Sequence, residues 1–158
     1  MKVTDILETC LYADDLAAAE HFYQTVLGLE VIERQAGRHV FFKCGHRVLL
    51  VFNPTKTLET GANFPPHGAR GPSHAAFAVP QNDLPAWRAH LEHHGVTIEK
   101  DVTWPRGGRS LYFRDPAGNS IELANPGIWT IDEKAFWPER CSGTGVAPVS
   151  KFKDSGSC

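Results

Sequence analysis

The sequence has no excess of either charge: 16 basic residues stand against 18 acidic ones, for a net charge of −2 and a pI near 6.4. No broad basic field follows, so neither a nucleic acid nor an anionic membrane is an expected partner. It also lacks any apolar run near the ~20 residues that span a bilayer. The longest runs, residues 48–52 and 75–79, have the length of a strand. The N-terminal stretch has no apolar signal core, because Asp5, Glu8, Asp14 and Asp15 interrupt it. Cysteine is sparse as well: Cys10, Cys44, Cys141 and Cys158 form no CxxC pair and no zinc-finger spacing. The expectation is a cytoplasmic protein with free thiols. What remains is a chain of 158 residues, 42% hydrophobic and 22% charged, with apolar material for one self-supporting core.

The first positive feature is an internal duplication. The segment Gly37-Arg38-His39-Val40-Phe41-Phe42-Lys43 returns as Gly108-Arg109-Ser110-Leu111-Tyr112-Phe113-Arg114. Each copy then enters a turn with glycine, Cys44-Gly45-His46-Arg47 or Asp115-Pro116-Ala117-Gly118, and a further apolar strand. Upstream of each lie a strand, an Asp (Asp15, Asp83), a helix and a Gly (Gly28, Gly95). One supersecondary unit used twice accounts for this.

Each unit reads as strand, helix, then three strands. Leu16, Ala19, Phe22, Tyr23, Val26 and Leu27 form an apolar stripe at helical spacing, with Asp15 as N-cap and Gly28 just past the end. The second helix offers Leu84, Trp87 and Leu91, starts at Asp83 with Pro85 in its first turn, and runs to about His94. The proline-rich stretch 53–72 reads as the linker. The expected layout is a single domain over residues 1–127, made of modules 3–53 and 72–126, and an extension over 128–158. In that extension Ile128, Trp129, Ile131, Phe136 and Trp137 are too apolar to be left in water and are expected to fold back on the body or on a partner, and residues 141–158 read as a flexible tail.

Strand alternation sorts the side chains. If Val40, Phe42, Leu111 and Phe113 face the helices, then His39, Phe41, Ser110 and Tyr112 face the other way. Glu122, between core residues Ile121 and Leu123, is a carboxylate in a strand made for burial, which is expensive unless it is paired or holds a cation. Glu8 has the same character, and His74 occupies the matching repeat position in the second unit. Two carboxylates and an imidazole make a chemically sensible metal site. The bland alternatives are an ion pair of Glu122 with Arg109, a core histidine at 74 and a solvated Glu8.

The duplicated βαβββ unit, the Asp15-to-Gly28 segment with Phe22-Tyr23 inside it, and the Asp115-Pro116-Ala117-Gly118 turn before Glu122 resemble the glyoxalase/bleomycin resistance/dioxygenase, or vicinal oxygen chelate, superfamily. The resemblance implies an α+β fold in which two modules close a barrel-like cavity, often through dimerisation. Carried over by position, it implies a divalent ion (Mn, Fe, Zn, Ni or Mg) on Glu8, His74 and Glu122. Ser110 and Tyr112 match residues that line the cavity of fosfomycin-resistance enzymes. Glyoxalase I enzymes use a fourth ligand in the last strand of the first module, where this chain is read to have Leu49. Extradiol dioxygenases use two His and one carboxylate, and here Glu8 replaces one His.

The reading is therefore a metal-dependent enzyme acting on a small organic substrate by Lewis-acid stabilisation of an oxyanion or enolate, of lyase, isomerase, transferase or dioxygenase type. Glu122 and Glu8 are the candidate catalytic residues. His39, Phe41, Trp104, Arg109, Ser110 and Tyr112 are expected to meet substrate, and the chain is expected to form a homodimer. The rival is a metal-free protein of bleomycin-resistance type that sequesters an aromatic antibiotic or metabolite between Phe41, Phe52, Trp104, Tyr112 and Trp129.

Overall fold

Two runs of one pattern build the chain. Strand β1 (Glu8–Tyr12) leads into helix α1 (Leu16–Thr25), then β2 (Glu30–Gln35), β3 (His39–Cys44) and β4 (Arg47–Phe52). A short helix α2 (Pro54–Thr57) opens the segment read as linker, capped by the Asn53 side chain. The pattern then repeats as β5 (His74–Ala78), α3 (Leu84–His93), β6 (Lys100–Thr103), β7 (Arg109–Arg114) and β8 (Ser120–Ala124). The computed structural model describes residues 1–61 and 63–137, so Cys141, Cys158 and the tail from residue 141 lie outside the described residues. Among the described residues no helix is long and apolar enough to cross a membrane.

The helices form where the sequence places them, with shorter ends. Asp15 accepts a hydrogen bond from the Ala18 amide, and α1 stops at Thr25 rather than Leu27, with Gly28 just beyond at φ +67. Asp83 makes no capping bond. A 3-10 turn, Gln81–Asp83, feeds straight into α3 and supplies its first turn instead.

The sheets have the orders β1-β4-β3-β2 and β5-β8-β7-β6. In each, the first strand runs parallel to the last and the other pairs are antiparallel. The α+β class is the expected one, but the two sheets do not close on each other within the chain. β1 and β5 each keep one unpaired edge.

One hydrophobic cluster runs through both units, from Leu11, Phe22, Tyr23, Phe42 and Leu49 to Phe113, Ile121 and Leu123. Burying each of the large side chains contributes roughly 1.5–3 kcal/mol. Tyr23 joins the units with a hydrogen bond: its hydroxyl donates to Asp115 at 2.8 Å. The helix-facing sides of the two sheets thus share a core, and their other faces point outward. That arrangement positions the site.

Register corrects one expectation. Tyr112 pairs with Glu122, and the repeat-equivalent Phe41 pairs with Leu50. The counterpart of Glu122 is therefore Leu50, not Leu49. Between the paired residues Arg114 and Ser120 lie five residues, and between their repeat equivalents Lys43 and Val48 lie four, and a slip of one residue moves a side chain to the opposite face. Leu49 is in the core.

The extension folds back only in part. Asn125 donates to the Glu133 carboxylate, which also receives the Gln81 amide at 3.1 Å, and the Arg47 guanidinium lies 5.9 Å from the Phe136 ring centre. Trp129, at 74% exposure, and Ile131, at 44%, do not pack on the body of the chain, which leaves a partner as the other expected cover for them.

Candidate metal centre

Glu122 lies on the outward face of the second sheet and is buried all the same, 5% exposed. His74 stands beside it from the edge strand β5, its Nε2 3.3 Å from Glu122 Oε2. The other ring nitrogen, Nδ1, is 3.0 Å from the Ser120 carbonyl oxygen. A carbonyl only accepts, so Nδ1 carries the hydrogen, and in the neutral ring the Nε2 lone pair faces the carboxylate. Two acceptors at that distance need a proton or a cation between them. Glu122 Oε1 is buried with no hydrogen-bond partner at all. An orphaned carboxylate oxygen beside a ring nitrogen oriented by a backbone carbonyl fits a metal ligand pair and its supporting contact.

Tyr112 stacks near His74, their ring centres 6.3 Å apart. Burial first, and then the Glu122 carboxylate beside it, push its phenol up to about 12, while the Ser110 hydroxyl pulls weakly the other way. Ser110 in turn accepts from the Trp104 indole N–H at 2.9 Å. Trp104, Ser110, Tyr112, Glu122 and His74 thus lie next to one another as a polar row across the second sheet. Arg109, the bland partner for Glu122, is elsewhere: its guanidinium binds Asp101 at 2.6 Å.

Glu8 is not in that row. It begins β1 on the first sheet and is exposed. Its register partner is Val48, as that of His74 is Ser120, which puts the two at equivalent places in the two sheets. Among the described residues no three His, Cys, Asp or Glu side chains come together to hold a metal. One chain therefore assembles His74 with Glu122 and leaves Glu8 on the other outward face.

That other face is aromatic. His39 stacks on Phe41 at 4.0 Å between ring centres, Phe52 meets both edge-on, and His67 meets Phe52 at 4.7 Å. The Tyr12 hydroxyl is 2.9 Å from His67 Nδ1. Burial and then the Cys10 thiol push the Tyr12 phenol up to about 12. His39 Nε2 is 3.3 Å from Glu33, a neighbour that sequence reasoning did not find. A bulge in β2 between Val31 and Glu33 sets Glu33 opposite Phe41 on this face, and nothing in the local sequence announces it.

Comparison with known proteins agrees with this geometry. The model of the Glyoxalase/Bleomycin resistance protein/Dioxygenase superfamily matches residues 5–123. The chain belongs to that superfamily. It is 28% identical to metallothiol transferase FosB of Bacillus licheniformis over 77% of this chain and 75% of that one. A FosB of Staphylococcus epidermidis is 26% identical over 78% of this chain and 82% of its own length. Among solved structures, lactoylglutathione lyase from Agrobacterium tumefaciens superposes with a TM-score of 0.80 at 41% identity, over 83% of this chain and all of the other (100%).

Proposed function

We propose that this superfamily member is a metal-dependent enzyme acting on a small organic substrate, with a divalent cation held by Glu122 and His74 of one copy and Glu8 of a second. The observation that carries the reading is the buried, partnerless Glu122 Oε1 beside the oriented Nε2 of His74. A bound divalent cation would supply Lewis-acid stabilisation of a developing oxyanion or enolate. Mn, Fe, Zn, Ni and Mg all suit an oxygen-rich ligand set.

The chain's own residues supply the rest. Tyr112 holds its proton at neutral pH and can donate it as a hydrogen bond to a substrate oxygen near Glu122. Phe41, Phe52 and His39 offer an apolar wall that excludes water. The large residues Tyr12 and Phe52 stand on the first sheet where the second has Ala78 and Ala124, so one face fits the other in size. A homodimer that lays the first face of one copy on the second face of the other covers both and brings Glu8 to the ligand pair. Leu50 sits where a fourth ligand would be. That supports a three-ligand layout of the transferase kind over the lyase of glyoxalase I type.

The test is a thermal melt with and without Mn, Zn, Ni or Mg. Wild type gains about 2.7 kcal/mol at a hundredfold excess of ion over its Kd. Glu122→Gln, which keeps the shape and removes the charge, gains nothing. Equal gains in both proteins would sink the ligand assignment. No gain in either would favour the metal-free aromatic binder, which the His39–Phe41–Phe52 cluster supports.

A further inference from the structure

One cavity lies at the edge of the polar row. It measures about 250 Å3 and is lined by Trp104, Pro105, Arg106, Ile128 and Trp129. That is below the roughly 300–1,000 Å3 of pockets that enclose a whole drug-sized ligand, so it suits a ring-sized part of one. Its two walls come from different places, the β6–β7 loop and the turn after β8, and they are locked together at Gly108. A Cβ there would lie 2.6 Å from a side-chain carbon of Ile128 and 2.8 Å from its backbone nitrogen, so only glycine lets the walls meet. On the far wall Thr130 is the one non-glycine residue with positive φ (59°) among the described residues, and Trp129 is left exposed just before it.

The polar content of the cavity is one cation. Among the described residues Arg106 is the arginine with no hydrogen bond or ion pair. Arg34, Arg47, Arg88, Arg109 and Arg114 hold carboxylates, and Arg38 and Arg70 hold oxygens of Lys56 and Thr55. Two indoles and an unpartnered guanidinium recognise a planar ring that carries negative charge. The inner wall is also the indole that donates to Ser110. A ring held in the cavity is therefore contiguous with the row that ends at Glu122.

We propose that this slot is the recognition subsite for a planar, anionic group, an aromatic or heteroaromatic acid, on the small molecule the protein takes. The identity of that molecule as substrate rests on the metal-dependent reading; the slot itself does not. The test titrates 2-naphthoate and its neutral analogue 2-naphthylmethanol against wild type, Arg106→Ala, Trp129→Ala and Glu122→Gln, following the indole N–H resonances of Trp104 and Trp129. Naphthoate shifts both resonances in wild type. Arg106→Ala weakens naphthoate about tenfold, the scale of one charge-assisted contact, and leaves the alcohol within about twofold. Trp129→Ala weakens both ligands, and its exposure means the fold survives the change. Glu122→Gln alters neither while losing its response to divalent ions, which separates this inference from the metal reading. Equal losses of acid and alcohol in Arg106→Ala, or binding indifferent to Trp129, would overturn it. Naphthoate failing to bind would overturn it as well, and if Trp129→Ala then shifts sedimentation from dimer to monomer, the slot holds a second copy of the chain instead.

Discussion

The two βαβββ units agree on one face and differ on the other. Toward the helices, Val40, Phe42, Leu49 and Val51 of the first unit answer to Leu111, Phe113, Ile121 and Leu123 of the second, all buried. On the outward faces, Phe41 answers to Tyr112, His39 to Ser110, Leu50 to Glu122 and Phe52 to Ala124. A shared core constrains size and polarity at every inward position, because close packing leaves no room for change. Within one chain the outward positions carry no such constraint, so one unit carries a polar row and the other an aromatic wall. The repeated scaffold is thus kept on one face of each copy, while the other face is free to differ.

The sharpest way to break this comparison is to remove neighbouring rings on opposite faces. Phe42→Ala and Phe113→Ala should each cost about 3–5 kcal/mol, the usual price of emptying a core aromatic site. Phe41→Ala, one residue along the same strand, removes a ring that is only half buried and should cost well under half as much. Urea unfolding at fixed protein concentration measures all three. If Phe41→Ala costs as much as Phe42→Ala, the outward face of the first unit is as much a core as the inward one.

Much of this asymmetry was legible in the sequence. The repeat gave the order of elements, and strand alternation separated Phe42 and Phe113 from Phe41 and Tyr112, because period-two patterning follows directly from strand geometry. Glu122 was legible for the same reason: a carboxylate between Ile121 and Leu123 breaks the pattern of a buried strand. The Leu49 assignment failed because register depends on turn length, and the two hairpins differ by one residue. Glu33 beside His39 was hidden by a bulge, a backbone irregularity with no composition signature. The lone Arg106 was hidden too, since being unpartnered depends on where every carboxylate ends up.

A smaller effect should come from exchanging the residues that distinguish the outward faces. Glu122→Leu replaces a buried, half-satisfied anion by an apolar side chain and should raise the stability of metal-free protein by about 1–3 kcal/mol. Leu50→Glu puts a carboxylate among Phe41 and its aromatic neighbours without an imidazole opposite, and should lower stability by about 1–3 kcal/mol. Melts in the presence of a chelator measure both. Changes of the same sign would mean that the two faces have not specialised, and that Glu122 is held by contacts its orphaned oxygen does not suggest.

The smallest effect distinguishes the starts of the two strands β3 and β7. Arg109 and Arg88 both bind Asp101, and the Arg109 hydrogen bond above all holds that carboxyl down to about 2, from the ordinary 3.8. Among the described residues the repeat counterpart Arg38 binds only the Lys56 carbonyl oxygen, at 2.7 Å, which does not titrate. A depressed carboxyl stabilises the fold only while it is ionised. Its contribution is complete above the unfolded value near 3.8 and fades as the pH falls toward about 2. Because the Asp101 side chain is partly open to solvent, the contribution is of surface size, under about 1 kcal/mol. Asp101→Asn should therefore cost a few tenths to about 1 kcal/mol at pH 7 and only a small fraction of that near pH 2, where the folded carboxyl is half protonated. Arg38→Met, which loses a bond to a neutral oxygen, should cost the same at both. Other carboxylates titrate over the same range, so the quantity to read is the difference between wild type and each variant in urea unfolding across pH 2–7. A difference for Asp101→Asn that stays constant with pH would show that the aspartate acts through shape rather than charge, and the second unit would lose its claim to a titrating clamp that the first lacks.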